Sequence, residues 1–429
     1  MRDTFTAPLQ TVASTNDYER KILPLRQQAA IQNAWIHHRL ETLMPEVMRH
    51  HNLDAWLIIG REYNEDPMMR SLLPATMLSA RRLTMLALFL RPDGSLEKLT
   101  ISRYGIEPFY TAAWQVEQED QWEALARLIR ERDPQRIGIN YGDDFAFGDG
   151  LSHALYTQLV EALGPELSQR LCSAELAAVS WLERRSELEI AAYTGIVQIA
   201  HALVAEAFSH RVIHPGVTTP LDVIWWFRQR THELGLTCWF QPSVSIQRRG
   251  QSELPQTATI LPGDLLHCDF GLHYLGLATD TQQHAYVLNL GQTEAPVGMQ
   301  AALATGNQLQ DILAQEMQPG RSGNEILREA LAKATSAGIK ASIYTHPIGY
   351  HGHGAGPTIG LWDAQQGVPG RGDYPLHNNT CHAMELNIRQ AVPEWDGQEV
   401  QMALEQDVLV YAGRVIFLAG RQTKLHLIN

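Results

Sequence analysis

Residues 262–280 read Pro262-Gly-Asp-Leu-Leu-His-Cys-Asp269-Phe-Gly271-Leu-His-Tyr-Leu-Gly276-Leu-Ala-Thr-Asp280. Pro-Gly-Asp marks a turn, Leu-Leu-His-Cys-Asp a strand ending in an acid, and the glycines a hairpin whose second strand ends in another acid. Burying a carboxylate at a strand position is costly unless a cation compensates it. A hairpin brings Asp269 and Asp280 to one point, although an isolated pair of this kind is ordinarily a solvated hairpin rim.

Working outward, His346-Pro-Ile-Gly-Tyr-His351-Gly-His353-Gly-Ala-Gly356 packs three imidazoles among glycines that let the backbone approach a ligand closely. In a strand His351 and His353 share a face. Any single histidine here is ordinarily one that bonds the backbone, whereas the cluster points to a ligand. Glu385 in HAMELNI and Glu405 in VQMALEQDVLV are each flanked by apolar residues, where an uncompensated charge is unfavourable. A set of Asp, His and Glu suits hard or borderline divalent ions rather than a structural zinc site.

Around this constellation the chain alternates element types. Up to about residue 175, helical spacing over Ala30–Arg49 gives way to strands LDAWLIIG, LTMLALFL and RIGIN and to the amphipathic helices QWEALARLIRER and LSHALYTQLVEAL. This predicts an N-terminal α/β domain over residues 1–178 and a second domain over 179–429. The second begins on a long helix with a Ser186/Glu189 capping-box pattern. Further helices are expected over Leu221–Leu234, Val297–Ala314 and Asn324–Ala337, with strands from Trp239 onward. Trp225, Trp226 and Phe227 read as core or dimer packing, and Cys268 as a small buried filler rather than a nucleophile.

The chain has 429 residues, 45% hydrophobic and 19% charged, with a formal charge of −13 and no Lys/Arg-rich run, which argues against nucleic acid or an anionic membrane as partner. No strongly apolar run approaches the roughly 20 residues of a membrane span. The N-terminus lacks a signal-peptide pattern, and four scattered cysteines fit neither a disulfide framework nor a zinc ribbon. A cytoplasmic protein with reduced thiols is expected.

The order Asp, Asp, His in a Gly-His-Gly setting, Glu, Glu resembles the ligand series of the pita-bread metallopeptidases, the family of aminopeptidase P, prolidase, creatinase and methionine aminopeptidase. RRSELEI, the His-Pro-Gly-Val-Thr turn, Pro-Gly-Asp before Asp269 and Glu-Gln-Asp-Val-Leu-Val with Gly413 extend the match over about residues 180–429. The resemblance implies an α+β architecture, a C-terminal pita-bread domain preceded by a smaller α/β creatinase-type domain. It also implies two divalent ions, manganese in expectation with cobalt, iron or zinc as alternatives. The implied ligands are Asp269, Asp280, His353, Glu385 and Glu405, with His351 as fallback to His353 and His346 in a supporting position. The nucleophile would be a water or hydroxide bridging the ions, and the catalytic residues Glu385 as general base with His351 and His346. The implied activity is that of a Xaa-Pro aminopeptidase or dipeptidase acting on short peptides, in a homodimer.

Two positions depart from the family. Gln251 and Ser252 stand where a substrate-holding histidine precedes the first Asp, and Trp362 in Ile359-Gly-Leu-Trp-Asp363 stands where a second is expected. An alternative is therefore a non-peptide C–N hydrolase of creatinase or ectoine hydrolase type, or a metal-dependent lyase. A binding module without turnover is a further alternative that five retained ligands disfavour.

Overall fold

The computed structural model describes residues 18–251 and 254–429; the Ser252 position discussed above lies outside them. The chain divides into two compact units, Pro24–Ser186 and Glu187–Asn429, the second joined by residues 18–23. The division falls after the helix Glu175–Glu183, beyond the 178/179 boundary expected from the sequence. Tyr18 explains why the leading segment groups with the C-terminal unit: its hydroxyl donates to Glu206, and the Leu23 N–H donates to the Tyr274 hydroxyl at 2.9 Å.

In the N-terminal unit a six-stranded sheet is centred on Ala55–Arg61, which pairs antiparallel with Leu83–Leu90 and parallel with Ile137–Ile139. The apolar runs are buried along almost their whole length, as strands covered on both faces require. Asp120 and Glu123 form a capping box on the helix Gln121–Arg132, which packs Leu125, Leu128 and Ile129 on this sheet.

The C-terminal unit opens on α1 (Glu187–Ala207) and α2 (Pro220–Glu233). By length and composition α1 is apolar enough to cross a membrane, which the sequence reading did not anticipate; here it is a core helix with Tyr193, Ile196, Ile199 and Leu203 buried. Thr219 and Asp222 form a capping box at α2, with Pro220 in the first turn, where a missing N–H costs nothing. Then come β1 (Ser243–Gln247), β2 (Leu265–Phe270), β3 (Thr281–Val287), α3 (Val297–Glu316), α4 (Gly323–Ser336), β4 (Lys340–Ile343), β5 (His346–Ile348), β6 (Thr380–Val392) and β7 (Gln398–Tyr411). Helices α2 to α4 fall within two residues of their expected limits.

Among the described residues these strands belong to a nine-stranded sheet with the path β4-β6-β7-β3-β2-β1, β5 pairing with β6. Along β6 the side chains Met384, Leu386 and Ile388 face a core built with Met299, Leu303 and Leu313 of α3 and Ile326 and Leu327 of α4. Strand alternation turns Ala383 and Glu385 to the opposite face. One face of the sheet is thus sealed by helices, and the other carries the polar residues.

Candidate metal centre

Strand register assembles the site. Glu385 pairs with Glu405, Glu405 with Gln282, Gln282 with Asp269 and Asp269 with Ser243, so one lateral row crosses β6, β7, β3, β2 and β1. One pleat away, His346 pairs with Ala383 and Ala383 with Asp407. Asp280 enters beside this second row, just before β3. Residues separated by more than a hundred positions become neighbours because antiparallel strands lie under 5 Å apart.

Asp280, His346 and Glu405 are buried and offer ligand atoms that lie within 4.8 Å of one another. His346 Nε2 is 3.3 Å from Glu405 Oε1, 3.6 Å from Asp280 Oδ2 and 4.0 Å from Glu385 Oε2. Asp269 Oδ1, Asp280 Oδ1, Glu405 Oε1 and His346 Nε2 are buried without a hydrogen-bond partner. Such orphaned atoms are expensive, and divalent metal held among Asp280, His346 and Glu405 would compensate the group they form. The donor set, carboxylates with one imidazole, fits manganese, iron or cobalt.

Electrostatics agree. Burial raises the Asp280 and Glu405 carboxyls well above their ordinary range, with Asp269 and Glu385 raising Asp280 further and Asp280 and Glu385 raising Glu405. Burial pushes Glu385 up to about 7 against the opposing charge of His346, and Asp269 up to about 6. Burial alone would lower His346, but Glu405 and Glu385 outweigh it and lift it to about 9.

The imidazole among the carboxylates is therefore His346, not His353. Within this segment the spacing His-x-x-Gly occurs three times, at 346–349, 351–354 and 353–356. Only the pairing of β5 with β6 selects the first, because it puts His346 on the face of Glu385. His353 lies outside the carboxylate group, exposed at its edge, with its ring perpendicular to His346 at 4.7 Å and 5.1 Å from Trp239. Partial burial, His346 and Arg371 hold it down to about 4, so it is neutral at pH 7. His351 sits in the turn after β5, its carbonyl accepting from the Gly349 N–H, and is not among the clustered ligand atoms. Trp362 is 78% exposed and does not stand in for an imidazole. Gln251, by contrast, is an exposed turn residue whose N–H donates to the Arg248 carbonyl at 3.0 Å.

Sequence reasoning missed two residues. Gln282 donates from Nε2 to Glu385 Oε1 and, at 3.0 Å, to Glu405 Oε2. Asp407, fully buried, accepts the Asp280 N–H on its carboxylate. Strand alternation from Glu405 and Asp280 carried the signal for both, since each lies two residues along from a candidate ligand.

The model of metallopeptidase family M24 matches residues 191–412, more than half of the sequence. The chain belongs to metallopeptidase family M24. Solved structures agree on the pita-bread fold with an N-terminal domain. An X-Pro aminopeptidase from Thermotoga maritima is 16% identical, covers 89% of this M24 chain and 99% of its own, and superposes with a TM-score of 0.65. A Xaa-Pro dipeptidase from Bacillus anthracis is 15% identical over 94% of this chain and 100% of its own, with a TM-score of 0.62. The N-terminal domain of the FACT complex subunit SPT16 from chickpea is 10% identical over 95% of this chain and 100% of its own, at 0.50. These likenesses concern the fold; the same fold carries unrelated functions. No curated protein matches the chain in sequence. Membership in M24 makes this protein a metal-dependent hydrolase by family.

Proposed function

We propose that this M24 protein is a metallopeptidase that cleaves Xaa-Pro bonds in short peptides, with Asp269, Asp280, His346, Glu385 and Glu405 holding divalent metal, manganese in the first instance. The supporting observation is the set of buried, unpartnered ligand atoms on four of these residues in a chain of this family. A divalent ion there supplies electrophilic polarisation of the scissile carbonyl and acidifies an attacking water. The protein's own groups do the rest. Glu385, whose Oε2 faces His346 within the cluster, takes the proton of the attacking water. His353 at the edge of the site, held as a neutral imidazole, donates N–H to the developing oxyanion. Trp239, whose Nε1 donates to the Thr279 carbonyl at 2.9 Å, fixes the wall behind His353.

A second reading, hydrolysis of a compact non-peptide C–N bond, is favoured by Gln251, which brings no histidine ahead of Asp269 and is turned to solvent. Turnover of Xaa-Pro dipeptides, Xaa-Pro-Xaa tripeptides, creatine and ectoine by the manganese-supplemented protein separates the two, with Asp280→Ala as control. Cleavage of the peptides alone, lost in the variant, supports the peptidase. Turnover confined to creatine or ectoine replaces it with the second reading.

A further inference from the structure

The two glutamates of the centre divide their oxygens. Glu405 Oε2 and Glu385 Oε1 both accept from Gln282 Nε2, while Glu405 Oε1 and Glu385 Oε2 face His346. The carboxamide is held in this orientation from behind: its Oε1 lies 2.8 Å from His267 Nε2, and an amide oxygen only accepts, so His267 is the donor. Reversing the amide would set Oε1 against two carboxylate oxygens and its NH₂ against the imidazole N–H. In the lateral row Gln282 also stands between Glu405 and Asp269.

Two ions roughly 3.5 to 4 Å apart need carboxylates that bridge them, one oxygen to each. Glu405 has one oxygen committed to Gln282. The free ligand atoms of Asp280, His346 and Glu405 describe a single cation position. A second ion approaching Glu385 Oε1 and Glu405 Oε2 together would meet Gln282 Nε2, which lies between them.

We propose that Gln282 limits this centre to one tightly held divalent ion, because its Nε2 fills the space between Glu385 Oε1 and Glu405 Oε2 from which a second ion would contact both. The proposal rests on the assignment of the cluster as a metal centre and concerns its stoichiometry, which the sequence resemblance would set at two.

The test is metal content of the full-length protein, loaded with manganese and dialysed, read by elemental analysis alongside calorimetric titration with manganese. The wild type is expected to retain about one ion per chain, and Gln282→Ala and Gln282→Met about two, with a second manganese-binding step in the titration that the wild type lacks. Gln282→Met keeps the side-chain length without a donor and serves if the alanine variant does not fold. Retention of two ions by the wild type overturns the proposal while leaving the metal centre intact, as does retention of one by both folded variants. A wild type that retains no ion overturns the metal centre itself.

Discussion

The backbone N–H of Asp280 points between the two carboxylate oxygens of Asp407, 3.2 Å from each. Asp407 is 1% exposed, and burial raises its carboxyl well above the ordinary range. Its oxygens are directed at the backbone of a candidate ligand, which makes it a positioning residue for Asp280 rather than a ligand itself.

Asp407→Ala removes that acceptor and leaves the Asp280 amide unpaired. Groups that orient a metal ligand are typically worth a factor of about 10 to 100 in metal affinity. Calorimetric titration with manganese should therefore show weakening on that scale for Asp407→Ala and a smaller loss for Asp407→Asn, which retains an acceptor oxygen. Unchanged affinity in both variants would mean that Asp280 holds its position without Asp407.

His346 and His353 separate by metal content. His346→Ala should lower both bound manganese and turnover, because its Nε2 lies among the carboxylates. His353→Ala should leave bound manganese at the wild-type level and lower turnover by about 10²- to 10³-fold, the range for loss of one oxyanion donor. Metal loss in His353→Ala with retention in His346→Ala would reverse the two roles.

The carboxylate cluster sets a pH dependence in protein stripped of metal. Asp280 and Glu405 have folded pKa values above their unfolded ones, so their contribution is present at low pH and is lost as pH rises through the folded values. Metal-free protein should lose melting temperature as pH rises towards neutrality, and added manganese should restore more of it at about pH 8 than at about pH 5.5. A ligand at a hundredfold excess over its Kd contributes about 2.7 kcal/mol. Asp280→Asn should melt higher than wild type without metal and respond little to manganese. Equal manganese shifts in wild type and variant would sink this account.

Buried histidines act in the opposite sense. His284 and His382 are 0% exposed, and burial holds each at about 3. His284 sets Nε2 against the N–H and the carbonyl of Ala403, at 3.0 and 2.8 Å, and Nδ1 3.1 Å from the Leu266 carbonyl; His382 has no hydrogen-bond partner for either ring nitrogen. Their folded pKa values lie below the unfolded value, so the stability they contribute is present above about pH 6.5 and is lost as pH falls towards the folded values. Each such proton is worth about 1.4 kcal/mol per pH unit within that window. His382→Phe should flatten the acid limb of the urea midpoint against pH relative to wild type at the same metal concentration. An identical limb in both would show that His382 is not neutral in the fold.

What the sequence by itself determined were the features carried by local pattern. The capping residues Thr219 and Ser322 fix helix starts, and apolar runs fix strands such as Leu265–Phe270. Acids at 269, 280, 385 and 405 stand out because an apolar flank makes a charge anomalous whatever the fold, and their order carried the family. Tertiary structure decided what depends on lateral neighbours. His346 and His353 offer the same local spacing, and only the pairing of His346 with Ala383 puts one of them beside Glu385. Gln282 and Asp407 are unremarkable polar residues until register sets them against Glu405 and Asp280 across separations of more than a hundred residues. Side-chain alternation is a local property legible along one strand, whereas register is a global one, fixed only when the apolar faces of all the strands are buried together against α1 to α4.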